Sequence, residues 1–288
     1  MSGEIITSRT IEITTNIGCS VNCIYCPQSK IVKAYRRSNL IDNHALMSFD
    51  NFKNYLSSVP EVVDIHFSGF SEPFHNVDCE RMITYAAHKG HKVSVFTTLD
   101  GVSLEMIERL SSISFMRFCI HLIDQDNLLK LSLNDYYLQK IKLIINKKIN
   151  NVDFYTIGRE NKIISNEIGC HIKTDVVHTR AGNIEINTSK LSTLLSKERI
   201  SKRTTNTSII CRKHRMNANV LLPNGDLYLC CMDYSLNEKL GNLSCQEYCD
   251  ILKGPELSSV YSRMLDKNGM ILCRNCEYAK PGFYKLYS

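Results

Sequence analysis

The regular alternation of strand-like and helix-like segments most constrains the fold of this chain. Between Thr10 and His178, short segments of β-type pattern alternate with amphipathic helical segments. Repeats of this kind form parallel strands joined by right-handed crossovers. A complete barrel of eight units needs roughly 250 residues, more than this stretch offers. We therefore expect six units in a partial (β/α)6 barrel, with strands at 10–14, 62–67, 93–96, 115–120, 152–157 and 172–177.

The helices are predicted from apolar spacing and from their end signals. Ser48 is the expected N-cap of a helix over 49–59, and Gly90 the expected stop of a helix over 77–89. Further helices are expected over 104–110, 135–147 and 160–168. The stretch that runs from the first cysteines to Arg37 is interpreted as a polar insertion.

Three cysteines follow the first predicted strand. Cys19, Cys23 and Cys26 have the spacing C-x3-C-x2-C, and Tyr25 precedes the last of them. Three thiolates with no fourth nearby can bind three irons of a cubane cluster and leave one iron open. Zinc and plain burial are the alternatives, although zinc usually pairs C-x2-C knuckles and no second knuckle lies close by.

Bulk properties limit the functional classes. The chain has 288 residues, 13 of them cysteines, and neither a signal-peptide pattern nor a long apolar run. We expect a cytoplasmic protein with no membrane partner, in which cysteines serve metal binding or catalysis instead of disulfides. The formal charge of +6 is too small to indicate a nucleic-acid partner.

The C-terminal part has its own cysteine pattern. We divide the chain into a barrel at 1–188, a polar linker at 189–208 and a small domain at 209–288 that builds little core alone. In that domain a spacer of 13 residues separates Cys211 from Gly225, and four further residues separate Gly225 from Cys230. Cys273 and Cys276 are the last cysteines of the chain. Cys231 is an alternative to Cys230, and a zinc ribbon is an alternative to a cluster.

These motifs together resemble the radical S-adenosylmethionine (SAM) enzymes with a C-terminal SPASM or twitch extension. The resemblance implies a [4Fe–4S] cluster whose open iron chelates SAM, held by Cys19, Cys23 and Cys26. It also implies an auxiliary [4Fe–4S] cluster of the shorter twitch type, whose ligands would be Cys211, Cys230, Cys273 and Cys276. A flavodoxin- or ferredoxin-type protein would supply electrons.

The resemblance also assigns the loops that follow the strands. The run from Ser68 to Pro73 resembles the family's Gly-Gly-Glu-Pro motif, with Phe70 and Ser71 at the usual glycine positions. The residues expected to contact SAM are Tyr25, Ser68, Gly69, Glu72, Thr97 and Thr98. Arg180 and His121, at strand ends, are the expected catalytic or substrate-binding residues, with a satisfied core histidine as the alternative for His121.

The implied reaction is cleavage of SAM to a 5′-deoxyadenosyl radical that abstracts a substrate hydrogen. We expect oxidation or epimerisation of a sugar, aminocyclitol or glycan precursor, with Cys231, Cys245 or Cys249 as hydrogen donor in the second case. The basic run from Lys190 to Arg215 is either solvated surface or a face toward an anionic substrate. A maturase of a ribosomally made peptide and a non-enzymatic zinc- or cluster-binding module are the alternatives.

Overall fold

The computed structural model describes residues 9–38, 45–184, 206–212 and 215–282. The predicted linker and the basic run that begins at Lys190 lie mostly outside these ranges. Within them, no helix combines the length and the apolar character needed to cross a membrane.

A large, mostly parallel sheet organises the molecule. Its strands are β1 (Thr10–Ile13), β2 (Asp64–Phe67), β3 (Val93–Thr97), β4 (Arg117–His121), β5 (Val152–Ile157), β6 (Lys173–Asp175), β8 (Ala218–Leu221), β9 (Asp226–Tyr228) and β10 (Lys239–Asn242). They follow the order β10-β9-β8-β1-β2-β3-β4-β5-β6, in which β1 to β6 are all parallel. A separate antiparallel pair joins β7 (Ile209–Cys211) to β11 (Ala279–Pro281). The six predicted strands and their parallel order are confirmed.

Helices connect the strands and cover the outside of the sheet. They are α1 (Gln28–Ser38), α2 (Phe49–Ser57), α3 (Cys79–His88), α4 (Leu104–Leu110), α5 (Asp135–Asn146), α6 (Lys162–Ile168), α7 (Tyr248–Lys253) and α8 (Pro255–Leu265). Ser48 caps α2 as predicted, since its hydroxyl accepts a hydrogen bond from the amide of Asn51. The interpretation of the stretch before Arg37 as a polar insertion is wrong. It forms α1, which buries Ile31 and Tyr35 on one face while its basic residues stay outside.

The strands of the barrel carry apolar and polar residues on opposite faces. In β1, Ile11 and Ile13 are fully buried in the same apolar core as Phe52 and Met82 of the helices. The alternate residue, Glu12, lines a cavity of about 1120 Å³ inside the barrel. Complete barrels usually fill this space with bulky apolar side chains. Here the interior is lined by polar side chains and is open.

The C-terminal part shares the large sheet and the main apolar core with the barrel. Strand β8 pairs in parallel with β1, with Thr10 opposite Ala218, so the β8–β9 hairpin extends the barrel sheet. The hairpin turns at Gly225, whose φ of +85° favours glycine. This pairing joins residues more than 200 positions apart and places the distal cysteines beside the barrel mouth.

Candidate active site

The three cysteines after β1 lie together on one loop at the carboxyl edge of the sheet. Burial raises the pKa of the Cys23 thiol to about 12, and the neighbouring Cys26 and Cys19 thiols raise it as well. The Cys26 sulfur lies 3.4 Å from Gln28 Nε2 and 3.6 Å from Tyr234 Oη. Thiolates crowded in this way need a bound cation to ionise, which fits iron ligands.

Glu72 is buried, and its carboxylate accepts hydrogen bonds from the loop that follows β3. Its Oε1 accepts a 2.7 Å bond from the hydroxyl of Thr97, and its Oε2 accepts bonds of 2.7 Å from the amide and the hydroxyl of Thr98. Burial raises the pKa of the carboxyl, and these hydrogen bonds oppose that rise. Thr97 and Thr98 therefore hold Glu72 in place. Direct contact of Thr97 and Thr98 with SAM stays a prediction.

The loop after β2 approaches the first strand closely. Gly69 has a φ of +77°, and a Cβ at this position would lie 2.2 Å from Thr14 Oγ1. The neighbouring Ser68 lines the barrel cavity, and its buried hydroxyl has no hydrogen-bond partner in the structure. A buried polar atom without a partner is uncommon, and a ligand is one way to satisfy it. The position of Ser68 therefore fits a polar ligand.

Tyr25 belongs to an aromatic stack that runs into the barrel. Its hydroxyl lies 3.2 Å from His121 Nε2, and the His121 ring stacks on Tyr155 with centroids 4.7 Å apart. Burial lowers the pKa of His121 to about 4, although Asp175 opposes this change. His121 is thus a neutral, packed histidine behind Tyr155, and Tyr155 is the member of the stack that lines the cavity.

Arg180 lies at the cavity mouth, where the sequence placed it at a strand end. It has a φ of +52° and is followed by Ala181 at +53°, two left-handed residues in succession that make a sharp turn. The guanidinium lies 5.9 Å from the ring of Tyr234, the residue that also contacts Cys26. Arg180 therefore lines the barrel cavity, and its contact with Tyr234 places it near the cysteine loop.

The four distal cysteines expected to share a site do line one cavity. Cys211, Cys230, Cys273 and Cys276 surround it, together with apolar side chains such as Met232. Burial raises the pKa of the Cys276 thiol to about 12, and the nearby charges of Glu277 and Cys211 raise it too. Four thiols around one space, two of them buried and two half-buried, are a suitable donor set for a cubane cluster.

The wall between this cavity and the barrel cavity contains residues that were not predicted from the sequence as site residues. His178 lines the barrel cavity and Tyr278 lines the cysteine cavity, and the Tyr278 hydroxyl lies 3.0 Å from His178 Nε2. Glu277 accepts bonds from Thr179 Oγ1 and lies 3.2 Å from His178 Nδ1. Burial raises the pKa of Glu277, but hydrogen bonds from His178 and Thr179 lower it to about 2.

A site for a single metal ion requires a different arrangement of ligands from a site for a [4Fe–4S] cluster. Across the ranges that the structure describes, no three His, Cys, Asp or Glu side chains are arranged to hold one metal ion. A [4Fe–4S] cluster binds each thiolate to a different iron, so its ligands do not converge on one point.

Comparison with known proteins shows similarity for the C-terminal part and for the whole fold. Residues 211–277 match the family model of SPASM, an iron–sulfur cluster-binding domain. The whole fold is similar to the crystal structure of BtrN in complex with AdoMet and 2-DOIA, with a TM-score of 0.59 and 14% identity over 94% of this chain and 92% of that chain. The chain has the radical SAM fold with a C-terminal SPASM domain.

Two further radical SAM structures are similar at low identity. Native anSMEcpe with bound AdoMet has a TM-score of 0.54 at 12% identity, over 93% of this chain and 88% of that chain. SuiB of Streptococcus suis bound to the precursor peptide SuiA has a TM-score of 0.51 at 13% identity, over 93% of this chain and 69% of that chain. A search of curated proteins found no match. At these identities, the structural likeness establishes the radical SAM fold.

Proposed function

We propose that this protein is a radical SAM enzyme that oxidises a small, polar, hydroxylated substrate held in the barrel cavity. SAM bound to a [4Fe–4S] cluster would supply the 5′-deoxyadenosyl radical needed to abstract a substrate hydrogen. Cys19, Cys23 and Cys26 would hold that cluster. One observation carries the proposal: the polar barrel cavity shares a wall with the cavity lined by the distal cysteines.

The loops at the carboxyl edge would hold SAM. The Ser68 hydroxyl, which is buried without a hydrogen-bond partner, is available to a ligand. Glu72 accepts three hydrogen bonds of 2.7 Å and one long bond of 3.4 Å from the amide of Phe74, and a carboxylate has about four acceptor sites. An ammonium group would therefore take the place of the long bond. Tyr25 would line the adenosyl side of the same site.

The chemistry of the cavity favours a small hydroxylated substrate. Its lining includes acidic and basic side chains in equal number, namely Glu12, Asp153, Asp175, Arg117, Lys173 and Arg180. Such a surface suits hydroxyl, amino and carboxylate groups better than an apolar peptide segment. The BtrN structure contains 2-DOIA, whereas SuiB is bound to a precursor peptide. The polar cavity supports the first class of substrate, with Arg180 binding an oxygen or an anionic group.

The shared wall supports oxidation. Conversion of an alcohol to a ketone removes one hydrogen atom, one proton and one electron. An auxiliary cluster on Cys211, Cys230, Cys273 and Cys276 would be the electron acceptor, and His178 in the wall is placed to take the proton.

Epimerisation is the second candidate, because Cys231 lines the barrel cavity. A thiol in that position can return a hydrogen atom to a carbon radical. Cys245, by contrast, is exposed and hydrogen-bonded to the carbonyl of Asn242. Of the three cysteines expected as hydrogen donors, Cys231 is the one that lines the barrel cavity, which Cys119 of β4 also lines.

Electron delivery would occur beside α1. A surface groove lined by Cys19, Lys33, Arg36 and Arg37 borders the cysteine loop, and α1 contains no acidic residue. An acidic flavodoxin- or ferredoxin-type protein has the complementary charge. The 13 cysteines include no disulfide among the described residues, which suits a reducing cytoplasm.

Anaerobic reconstitution tests the proposal. We expect about eight irons per chain, the sum of two [4Fe–4S] clusters, and formation of 5′-deoxyadenosine from SAM and dithionite. Zinc without SAM cleavage would instead identify a binding module and refute the enzyme.

Deuterated sugars and aminocyclitols, with 2-DOIA among them, then distinguish the reactions. Deuterium in 5′-deoxyadenosine together with a ketone product supports oxidation. Solvent hydrogen in an inverted product, abolished by Cys231→Ala, would indicate epimerisation. Label transfer only from a peptide would contradict the small-substrate assignment.

A further inference from the structure

The loop that follows β6 connects the barrel cavity to the segment that contains the distal cysteines. In this stretch, residues 178–184 and called the β6 loop below, His178 and Arg180 line the barrel cavity. Thr179, between them, is hydrogen-bonded to Glu277, the residue that directly follows the last distal cysteine. The same short loop therefore touches the proposed substrate site and the expected ligands of the auxiliary cluster.

Glu277 makes three polar contacts with the β6 loop. Its Oε1 accepts a 2.9 Å bond from the amide of Thr179, and its Oε2 accepts a 2.6 Å bond from the Thr179 hydroxyl. The same Oε1 lies 3.2 Å from His178 Nδ1, and the side chain of Glu277 is only 3% exposed. Because polar groups at such a site are costly to leave unpaired, these contacts hold the loop in one position.

The rest of the β6 loop contacts the segment that follows β9. Asn183 Nδ2 donates a 3.2 Å bond to the carbonyl of Met232, and Ser235 Oγ donates a 2.9 Å bond to Asn183 Oδ1. Ala181 packs in one apolar cluster with Cys230, an expected ligand of the auxiliary cluster. The C-terminal part therefore contacts the loop along most of its length.

Backbone strain makes the β6 loop dependent on these contacts. Arg180, Ala181 and Gly182 have φ values of +52°, +53° and +79°, so three successive residues are left-handed and only one of them is glycine. Non-glycine residues persist in this region where the surrounding structure determines their conformation. When such contacts are lost, the loop relaxes, and His178 and Arg180 leave their positions in the cavity wall.

Ordinary packing between two parts of one fold is the simplest alternative. Packing alone predicts that the loss of a contact lowers stability without a particular effect on the cavity. The contacts described above differ from this expectation, because all of them meet one short, strained loop that also lines the cavity.

Resting on the proposed function, in which the four distal cysteines bind the auxiliary cluster, we propose that Glu277 is a positioning residue that couples this cluster to the substrate cavity. A bound cluster fixes the segment around Cys276, and Glu277 holds the β6 loop against that segment. The loop in turn holds His178 and Arg180 in the cavity wall. The cavity therefore reaches its full shape only when the auxiliary cluster is bound.

The test is hydrogen–deuterium exchange of the reconstituted full-length protein, measured by mass spectrometry. The amide of Thr179 is bonded to Glu277 and the amide of Ile184 to the carbonyl of Thr179, so their exchange rates measure the order of the β6 loop. In Glu277→Ala we expect the peptide that covers this loop to exchange about tenfold faster. Glu277→Gln keeps an acceptor oxygen for the Thr179 amide and is expected to restore most of the protection.

A double substitution then separates coupling from general loosening. Cys273→Ala removes a ligand of the auxiliary cluster, and iron analysis verifies its loss as a fall from about eight to about four irons per chain. We expect this change alone to speed exchange of the β6 loop, and to add little in Glu277→Ala, because both act through one connection. Additive effects, or an unchanged loop in Cys273→Ala, would overturn the coupling.

Asn150→Ala is the matched control. Asn150 Oδ1 accepts a 3.0 Å bond from the amide of Phe115 and its Nδ2 donates a 2.8 Å bond to the Phe115 carbonyl, at the opposite edge of the sheet. Its substitution should speed exchange near Phe115 and leave the β6 loop at the wild-type rate. Equal acceleration of the β6 loop in Asn150→Ala and Glu277→Ala would show general loosening and overturn the role of Glu277.

The remaining outcomes are also decisive. If Glu277→Ala does not fold, Thr179→Val replaces it, since this variant removes only the hydroxyl bond and should speed exchange about threefold. Exchange at the wild-type rate in Thr179→Val would then overturn the proposal. Wild-type protein with only about four irons per chain would refute the auxiliary cluster of the proposed function. Full iron with unchanged exchange in Glu277→Ala refutes only the role of Glu277.

Discussion

Cys230 and Cys231 are adjacent in the chain, yet their side chains line different cavities. Cys230 faces the cavity of the distal cysteines, whereas Cys231 faces the barrel cavity and packs in the same cluster as Phe70 and Tyr234. Successive side chains can point to opposite sides of a chain segment, as these two do. One peptide unit therefore forms part of the wall between the two cavities, and the two thiols have different expected roles.

Separate substitutions of Cys230 and Cys231 should show which of the two binds the auxiliary cluster. We expect Cys230→Ala to lose the auxiliary cluster, so that iron falls from about eight to about four per chain. Cys231→Ala should retain about eight. Iron analysis and EPR of the reduced protein measure both variants. Loss of iron in Cys231→Ala with full iron in Cys230→Ala would reverse the assignment of the ligand.

Glu72→Gln should destabilise the protein and weaken SAM binding. The carboxylate accepts bonds from Thr97 and Thr98, and an amide replaces one of its acceptor oxygens with a donor. Leaving a buried donor without an acceptor costs about 2 kcal/mol. Urea unfolding gives the stability, and equilibrium dialysis with SAM gives the affinity. Glu80→Gln breaks the surface pair with Arg109 and should cost less than about 1 kcal/mol. Equal losses in the two variants would contradict the role of Glu72.

His121 should make the stability depend on pH in a defined window. The folded protein keeps the ring neutral down to a pKa of about 4, whereas an unfolded chain takes up the proton near pH 6.5. The unfolded state then binds more protons, so stability falls as pH decreases from about 6.5 to about 4. The full effect is on the order of 3 kcal/mol.

Urea unfolding at about pH 7.5 and about pH 5.5, roughly one pH unit above and below the ordinary histidine pKa, measures this dependence. His121→Phe should lose about 1 kcal/mol less than wild type between these conditions. His88→Gln, which changes an exposed histidine, should behave like wild type. Parallel loss of stability in wild type and His121→Phe would show that His121 does not titrate in this way.

Gly69→Ala should destabilise the loop after β2 more than a matched glycine substitution destabilises its own loop. Its φ is +77° and the new Cβ would lie 2.2 Å from Thr14 Oγ1, so both strain and overlap oppose alanine. Gly169 has a φ of +62° with nothing within 4 Å of the new Cβ, so Gly169→Ala carries the strain alone. We expect losses of about 1 kcal/mol for Gly169→Ala and about 3 kcal/mol for Gly69→Ala. Thermal unfolding measures both, and similar losses would refute the close approach.

Local patterns made much of the barrel predictable. Alternating residues such as Ile11 and Ile13 indicate a strand whichever partner it finds, and Ser48 and Gly90 mark helix ends through their own backbone chemistry. Helix α1 was missed because its basic and polar residues outnumber Ile31 and Tyr35, the two that face the core. An apolar helix face of only two residues can be recognised only when the surface that it packs against is known.

The sequence by itself determined the cysteine spacings, the strand–helix repeats and the residues available at the strand ends, because these depend on neighbours along the chain. The tertiary structure alone decided which distant groups meet. Pairing of β8 with β1 placed the distal cysteines at the barrel, and loop contacts joined Glu72 to Thr98 and His75 to Asp100. The wall formed by Cys230, Cys231, His178 and Tyr278 arises in the same way. Such contacts depend on packing over long sequence separations, which no local pattern records.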